Sequence, residues 1–279
     1  MGREERAETM DGMQTIRLDF LNRVVNVGTS SVIGKRSQQQ DAIRADSFYD
    51  YAESGRIIAV LCDGMGGLNS GDRASALCSA MVYNRFHEMK DIPEIPFFFR
   101  SVIHESDDAV RIMKDDTGAV ITGSGTTLAT VVIDDNKLYW AGVGDSRVYI
   151  IRGEAILRVT KDHNYLMLLN EMVKRGEITQ EEADRHPKKE ALVSYIGVGG
   201  VRYIDMNVKG VELINGDYIV LCSDGLYRCL SDEEIRQTVY MNKDDAQMAA
   251  DCLTNLANSK NLRNQDNTSV VVIGYQDSG

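Results

Sequence analysis

The sequence predicts an α+β fold in which antiparallel sheet is covered by helices, and three observations carry that prediction. Short apolar runs in the middle of the chain are joined by turns of two or three residues, as hairpins require. Amphipathic helical patterns stand before, between and after them. The regular alternation of strand and helix that builds a doubly wound parallel sheet is missing. At 279 residues the chain can bury one large core, and from Val24 onward no Pro-rich or Gly-rich linker divides it. With 43% apolar and 26% charged residues, collagen-like, low-complexity and disordered classes are excluded.

Residues 1–22 are charged and weakly periodic, which suits a mobile extension or a short edge element; the folded domain is expected over 23–275, with 276–279 as a tail. Ala74, Leu77, Cys78, Met81 and Val82 recur at helical spacing, as do Phe99, Val102, Ile103, Ser106, Val110 and Met113. Near the C-terminus Ala246, Ala249, Ala250, Leu253, Leu256 and Ala257 repeat the pattern. Residues 127–133 and 137–141 flank one turn, and 147–151 and 155–159 flank another, so each pair predicts a hairpin. A third is predicted at Asn215-Gly216, between 211–214 and 218–222, because a type I′ turn needs positive φ at both central residues. The polar segment 161–203, helical in pattern at 165–174 and 179–184, interrupts the strands as a surface subdomain.

Charge and composition narrow the function. Lys and Arg number 31 against 42 Asp and Glu, a net charge of -11, which disfavours nucleic acid and anionic membrane as partners. No apolar run approaches the roughly 18 residues of a membrane helix. The charged start is unlike a secretory signal, and Arg6 stands where a myristoylation signal at Gly2 would need Ser or Thr, so a cytoplasmic location is expected. Five cysteines with no CxxC pair read as buried thiols.

The chemistry is expected at acidic corners. The runs VLCDG (60–64) and VLCSDG (220–225) each carry a buried strand into Asp-Gly, and WAGVGD (140–145) nearly repeats them. One Asp-Gly alone is a common turn, as Asp11-Gly12 in the N-terminal extension would be. Three at strand ends, joined by Asp41 and Asp266, describe a rigid carboxylate cluster without interleaved Lys or Arg. Such a cluster repels itself unless divalent cations neutralise it, and all-oxygen ligands favour Mg²⁺ or Mn²⁺ over zinc.

The segments RSQQQDA (36–42), DGMGG (63–67), GSGTT (123–127), GDSR (144–147), TKDHN (160–164), SDG (223–225) and DNTS (266–269) stand in the order and spacing of a known family. The chain resembles the metal-dependent type 2C serine/threonine protein phosphatases, the PPM family, in its bacterial branch, across 24–275. The resemblance implies a four-layer α-β-β-α sandwich with a two-metal cleft at one edge, making 23–275 the catalytic domain and 161–203 a flap beside the cleft. It implies that Asp63 bridges two Mn²⁺ or Mg²⁺ ions, that the Gly64 carbonyl joins one, and that Asp224 and Asp266 hold the other. Asp41 would act through metal-bound water, and Asp145 with Asp224 would bind a third, weaker metal. Arg36 would grip the substrate phosphate, a task suited to a planar, permanently charged guanidinium. Arg36, Asp63 and Asp224 form the implied catalytic set, with a water between two cations as nucleophile. Substrates would be phosphoserine and phosphothreonine proteins, among them a serine/threonine kinase and its targets.

Two departures from the family stand out. Gln39-Gln40 replaces the usual Asn-Glu before Asp41, which removes a negative charge beside the metals. Met65 stands where animal members carry a proton-donating His, leaving the general acid unassigned, with His163 as a candidate that is otherwise structural. Thr126 and Thr127 read as packing and supporting groups. The alternatives are a catalytically silent phosphoprotein-binding module of the same fold and a phosphatase of small phosphate esters.

Overall fold

The computed structural model describes residues 4–8, 14–20, 23–49, 55–66, 70–89 and 94–277; Asp11-Gly12, Gly67 of the DGMGG segment and the last two residues lie outside them. Its first half contains β1 (Glu4–Glu8), β2 (Gln14–Phe20), β3 (Arg23–Val32), β4 (Asp41–Tyr49), β5 (Gly55–Met65), α1 (Gly71–Glu88), α2 (Ile95–Arg111), β6 (Gly125–Thr126), β7 (Leu128–Asp134) and β8 (Lys137–Val143). Then follow β9 (Arg147–Arg152), β10 (Ala155–Arg158), α3 (Tyr165–Lys174), α4 (Gln180–Arg185), β11 (Asp205–Met206), β12 (Val211–Glu212), β13 (Asp217–Cys222), α5 (Asp224–Tyr227), α6 (Asp232–Met241), α7 (Ala246–Ser259) and β14 (Thr268–Asp277).

These make two antiparallel sheets. One runs β1-β2-β3-β14-β13-β9-β10; the other runs β11-β8-β7-β5-β4, with β12 added to β8 and β6 to β5. Residue alternation in the central strands shows how they stack. In β5, Ile57, Ala59 and Leu61 pack with Ile219, Leu221, Val271 and Ile273 between the sheets. The intervening Ile58, Val60 and Cys62 pack under α1 and α2. In β13, Val220 and Cys222 turn outward onto α5, α6 and α7. A strand buried on both faces must be apolar at every position, which is why VLC runs mark the middle of each sheet. Each fully buried aliphatic side chain contributes about 1.5–3 kcal/mol, so the layers are held chiefly by these three clusters. The four-layer α-β-β-α sandwich expected from the resemblance is the fold observed.

The helices start on local signals. Asp245 accepts the Met248 N–H at 2.9 Å to cap α7, and Ser231 with Glu234 forms a capping box on α6. Hairpins β7-β8 and β9-β10 form as the sequence predicts. The Asn215-Gly216 hairpin does not form, because β12 pairs with β8 in one sheet while β13 pairs with β14 and β9 in the other. Leu213 is buried between the sheets and draws the chain across, and the Asp217 carboxylate accepts the Ile214 N–H at 2.9 Å. Only Gly216 has a positive φ, +85°, so the turn is not type I′ and serves as a crossover.

Close contact between β3 and α7 gives one testable consequence. A Cβ on Gly28 would lie 2.2 Å from the Ala246 carbonyl oxygen and 2.3 Å from the Gln247 nitrogen, backbone that cannot swing away. Gly28→Ala should therefore destabilise the chain by about 3 kcal/mol, read as a lower urea midpoint. An unchanged midpoint would contradict this packing.

Candidate active site

The strand register gathers the acids. Asp41 opens β4 directly opposite Asp63 near the end of β5, and the end of β5 pairs with the start of β7, which faces the end of β8. Asp145 follows β8, so it emerges at the same edge. In the other sheet Cys222 ends β13 opposite Val270 and Arg147, which places Asp224 and Asp266 at the corresponding edge. Asp63, Asp145, Asp224 and Asp266 line one cleft of about 260 Å³ together with Arg36, Gly64 and Met65. Asp41 stands beside it, its Oδ2 accepting the Ser223 hydroxyl at 2.8 Å. All seven candidate residues from the sequence are thus brought to one place.

Each acid is positioned by its backbone. The Asp63 N–H donates to Thr127 Oγ1 at 2.9 Å, while the Asp63 carbonyl accepts the Thr127 N–H at 2.8 Å and the Thr126 hydroxyl at 2.9 Å. The two threonines are therefore the clamp on Asp63. β5 does not turn at Asp63-Gly64 but continues to Met65, pairing Gly64 with Thr126. A Cβ on Gly64 would meet the Gly71 carbonyl oxygen at 2.1 Å, so no larger residue fits beside Asp63. Gly144, at φ +97°, makes the bend that swings Asp145 into the cleft. Gln39 Oε1 accepts the Asp41 N–H at 3.0 Å, and the Gln40 carbonyl accepts the Gly64 N–H at 3.0 Å, so the paired glutamines carry the backbone of the site. Asn267 completes it by donating to the Ile33 and Gln38 carbonyls at 2.9 and 3.1 Å.

The electrostatics are those of a cluster in need of cations. Burial pushes the Asp63 carboxyl well above the usual range, and Asp41, Asp224, Asp145 and Asp266 push it further. Burial raises Asp41 to about 6 against hydrogen bonds from Ser269 and Ser223 that oppose it. Asp224 rises to about 7, again through burial, with Arg228 opposing and Asp145 and Asp266 reinforcing. Burial and the neighbouring Asp162 raise Asp145. Asp41 Oδ1 and Asp224 Oδ1 are buried without a hydrogen-bond partner. Buried acceptors with no donor, in a set of hard oxygens, fit Mg²⁺ or Mn²⁺. Among the described residues no three such side chains yet converge tightly enough to hold an ion. Two of the acids are paired with arginines: Arg36 holds Asp266 Oδ2 at 2.5 Å, and Arg228 Nε lies 3.1 Å from Asp224 Oδ2.

Arg228 corrects the expectation that the carboxylates have no interleaved cation, and with Glu190 it was not singled out in the sequence. The signal was present, since Arg228 stands four residues after Asp224, a spacing that returns a side chain over a helical turn. No histidine lines the cleft among the described residues. His163 is buried, accepts the Gly144 N–H on Nδ1 at 3.3 Å and is held neutral by burial, so it braces the Asp145 corner.

Comparison with known proteins follows the same lines. The protein phosphatase 2C family profile matches residues 30–268. Protein phosphatase PhpP of Streptococcus pneumoniae is 31% identical over 245 residues, spanning 87% of this chain and 94% of that protein. The solved S. agalactiae serine/threonine phosphatase superposes with a TM-score of 0.76 at 30% identity, over 90% of this chain and 99% of that one. The catalytic domain of the serine/threonine protein phosphatase PstP, solved with 2 manganese ions, superposes with a TM-score of 0.69 at 26% identity, over 91% and 100%.

Proposed function

The chain belongs to the protein phosphatase 2C family, and from that premise we propose that Asp41, Asp63, Gly64, Asp224 and Asp266 hold its two metal ions while Arg36 receives the substrate phosphate. The protein is a metal-dependent serine/threonine phosphatase, a hydrolase of phosphoproteins that uses Mn²⁺ or Mg²⁺. The observation that carries the residue assignment is the pair of orphaned oxygens, on Asp224 in the cleft and on Asp41 beside it, among raised carboxyls. Bound there, the two cations would supply charge neutralisation and an acidified water for attack on phosphorus. The chain's own part is positioning: Thr126 and Thr127 fix Asp63, and Ser223 orients Asp41. The Arg36 side chain, 55% exposed at the mouth, presents a fork suited to two phosphate oxygens. A third, weaker cation at Asp145 and Asp224 belongs to the same proposal.

We assign the catalytic domain to 23–275, with 161–203 as the flap and 1–22 as an extension. Glu190 and Leu192 of the flap segment line the cleft, and β1 and β2 extend the sheet beyond β3. We also propose a serine/threonine kinase among the phosphoprotein substrates, and a cytoplasmic location, which the five free thiols support as the state of a reducing compartment. No helix among the described residues is long and apolar enough to cross a membrane. The silent binding module is not favoured, since the acid set is complete.

The direct test is phosphate release from a phosphothreonine peptide with Mn²⁺, expected to vanish in EDTA; no release with Mn²⁺ would end the assignment. Arg36→Ala should raise KM about tenfold or more with a smaller change in kcat, because a phosphate contact made on binding is lost. Steady-state kinetics with an unchanged KM would remove Arg36 from its role.

A further inference from the structure

Arg228 is a charged cleft residue that the family segments and the assignments above leave without a task. It directly follows α5, and its N–H closes on the Asp224 carbonyl at 3.0 Å. Its guanidinium then folds back, with Nε 3.1 Å from Asp224 Oδ2 and Nη1 3.1 Å from Glu190 Oε2. Glu190 belongs to segment 161–203, so one side chain ties a proposed metal ligand to the structure beside the cleft. The segment's two ends are fixed independently: the His163 N–H donates to the Gly144 carbonyl at 2.8 Å, and Asp107 Oδ1 accepts the Gly197 N–H at 2.7 Å. Between them the Lys189 and Ala191 carbonyls accept the Leu166 and Tyr165 N–H groups, each at 2.8 Å, and the Glu190 tether adds to these bonds. The charge of Arg228 also reaches Asp145.

We propose that Arg228 is a positioning residue through which segment 161–203 and a divalent cation compete for the Asp224 carboxylate. While the guanidinium sits on Asp224 Oδ2, Glu190 is held at the cleft. When a cation takes that carboxylate, the like charge repels Arg228, and the hold on Glu190 weakens. Linkage makes the effect reciprocal, since whatever strengthens the Arg228 contact must weaken the cation at the same carboxylate. The inference rests on Asp224 being a metal ligand.

The test is calorimetric titration of Mn²⁺ into the full chain, paired with amide hydrogen exchange over 161–203. Arg228→Gln should bind Mn²⁺ about 5- to 10-fold tighter, because a positive charge a few ångströms from the ion is gone. Glu190→Gln should bind it about 2- to 3-fold more weakly, because Arg228 then acts on Asp224 alone. Arg228→Lys, which keeps the charge, should stay near the parent. Saturating Mn²⁺ should speed exchange around Glu190 in the parent, whereas Arg228→Gln should exchange fast with or without the ion. Equal affinities in the parent, Arg228→Gln and Glu190→Gln, alongside loss of a site in Asp224→Asn, would overturn the competition and leave the ligand assignment standing. Undiminished Mn²⁺ binding in Asp224→Asn would overturn both.

Discussion

Asp63→Asn is expected to lower Mn²⁺-dependent phosphate release by about 10³-fold or more, and at the same time to stabilise the chain in EDTA. The two effects share one cause. Asp63 is enclosed among Asp41, Asp224, Asp145 and Asp266, and burial with their combined charge drives its carboxyl well above the usual range. Without a cation the folded state must either protonate this group or bear its repulsion. Asparagine has nearly the same shape, and the bonds that hold residue 63 run through its backbone N–H and carbonyl, to Thr127 and Thr126, so the clamp survives the change. Removing one charge from a buried like-charged set should raise unfolding stability at pH 8 in EDTA by about 1–3 kcal/mol. With saturating Mn²⁺ the order should reverse, since ligand binding stabilises only the chain that binds. Urea unfolding of both proteins in each condition is the measurement. A variant that keeps its turnover, or that is less stable than the parent in EDTA, would remove Asp63 from the centre of the site.

This balance of stability against function also explains which parts of the molecule could be read beforehand. β5 and β13 were legible because a strand buried on both faces must be apolar throughout, and the helices because α1, α2 and α7 each bury one face. Partner choice was not. Asn215-Gly216 carries a strong local turn signal, yet the flanking strands belong to different sheets because Leu213 is buried between them, which is a property of the whole core. Likewise β3 pairs with β14 from the opposite end of the chain, as in Ser30 opposite Val270, and no local pattern announces that. At the site the acids were legible because each stands at or near a strand end beside recognisable neighbours. For Arg228 the spacing from Asp224 was visible but its role was not, because that depends on α5 being helical and on Glu190 arriving from segment 161–203. Residues that act through their own strand end are visible in sequence, and those that act by bridging two elements are not.

In EDTA the thermal midpoint should fall steadily as pH rises from about 4 to 8, by an amount on the order of 3–5 kcal/mol in stability. The sign follows from raised carboxyls. Asp41 titrates at about 6 and Asp224 at about 7 in the folded chain, each against a normal value of 3.8. Below the unfolded value both states are protonated and the stabilising proton is fully counted. Between the two values the folded state keeps a proton that the unfolded state has released, so each rise in pH favours unfolding. The contribution of Asp41 and Asp224 is nearly gone by about pH 8, and Asp63, whose carboxyl also lies well above the usual range, acts in the same direction. The surface carboxylates Glu233 and Glu234, held down at about 2 by Arg236 and by Lys260 respectively, work in the opposite direction but lose their effect only as pH falls below the usual carboxylate range, outside this window. Saturating Mn²⁺ should abolish the decline, because a cation prefers the ionised carboxylates and its affinity grows as they deprotonate. Differential scanning at pH 5 and pH 8, with EDTA and with Mn²⁺, separates the cases. A midpoint in EDTA that holds level or climbs over that interval would mean that burial and mutual repulsion do not raise these carboxyls in the folded chain.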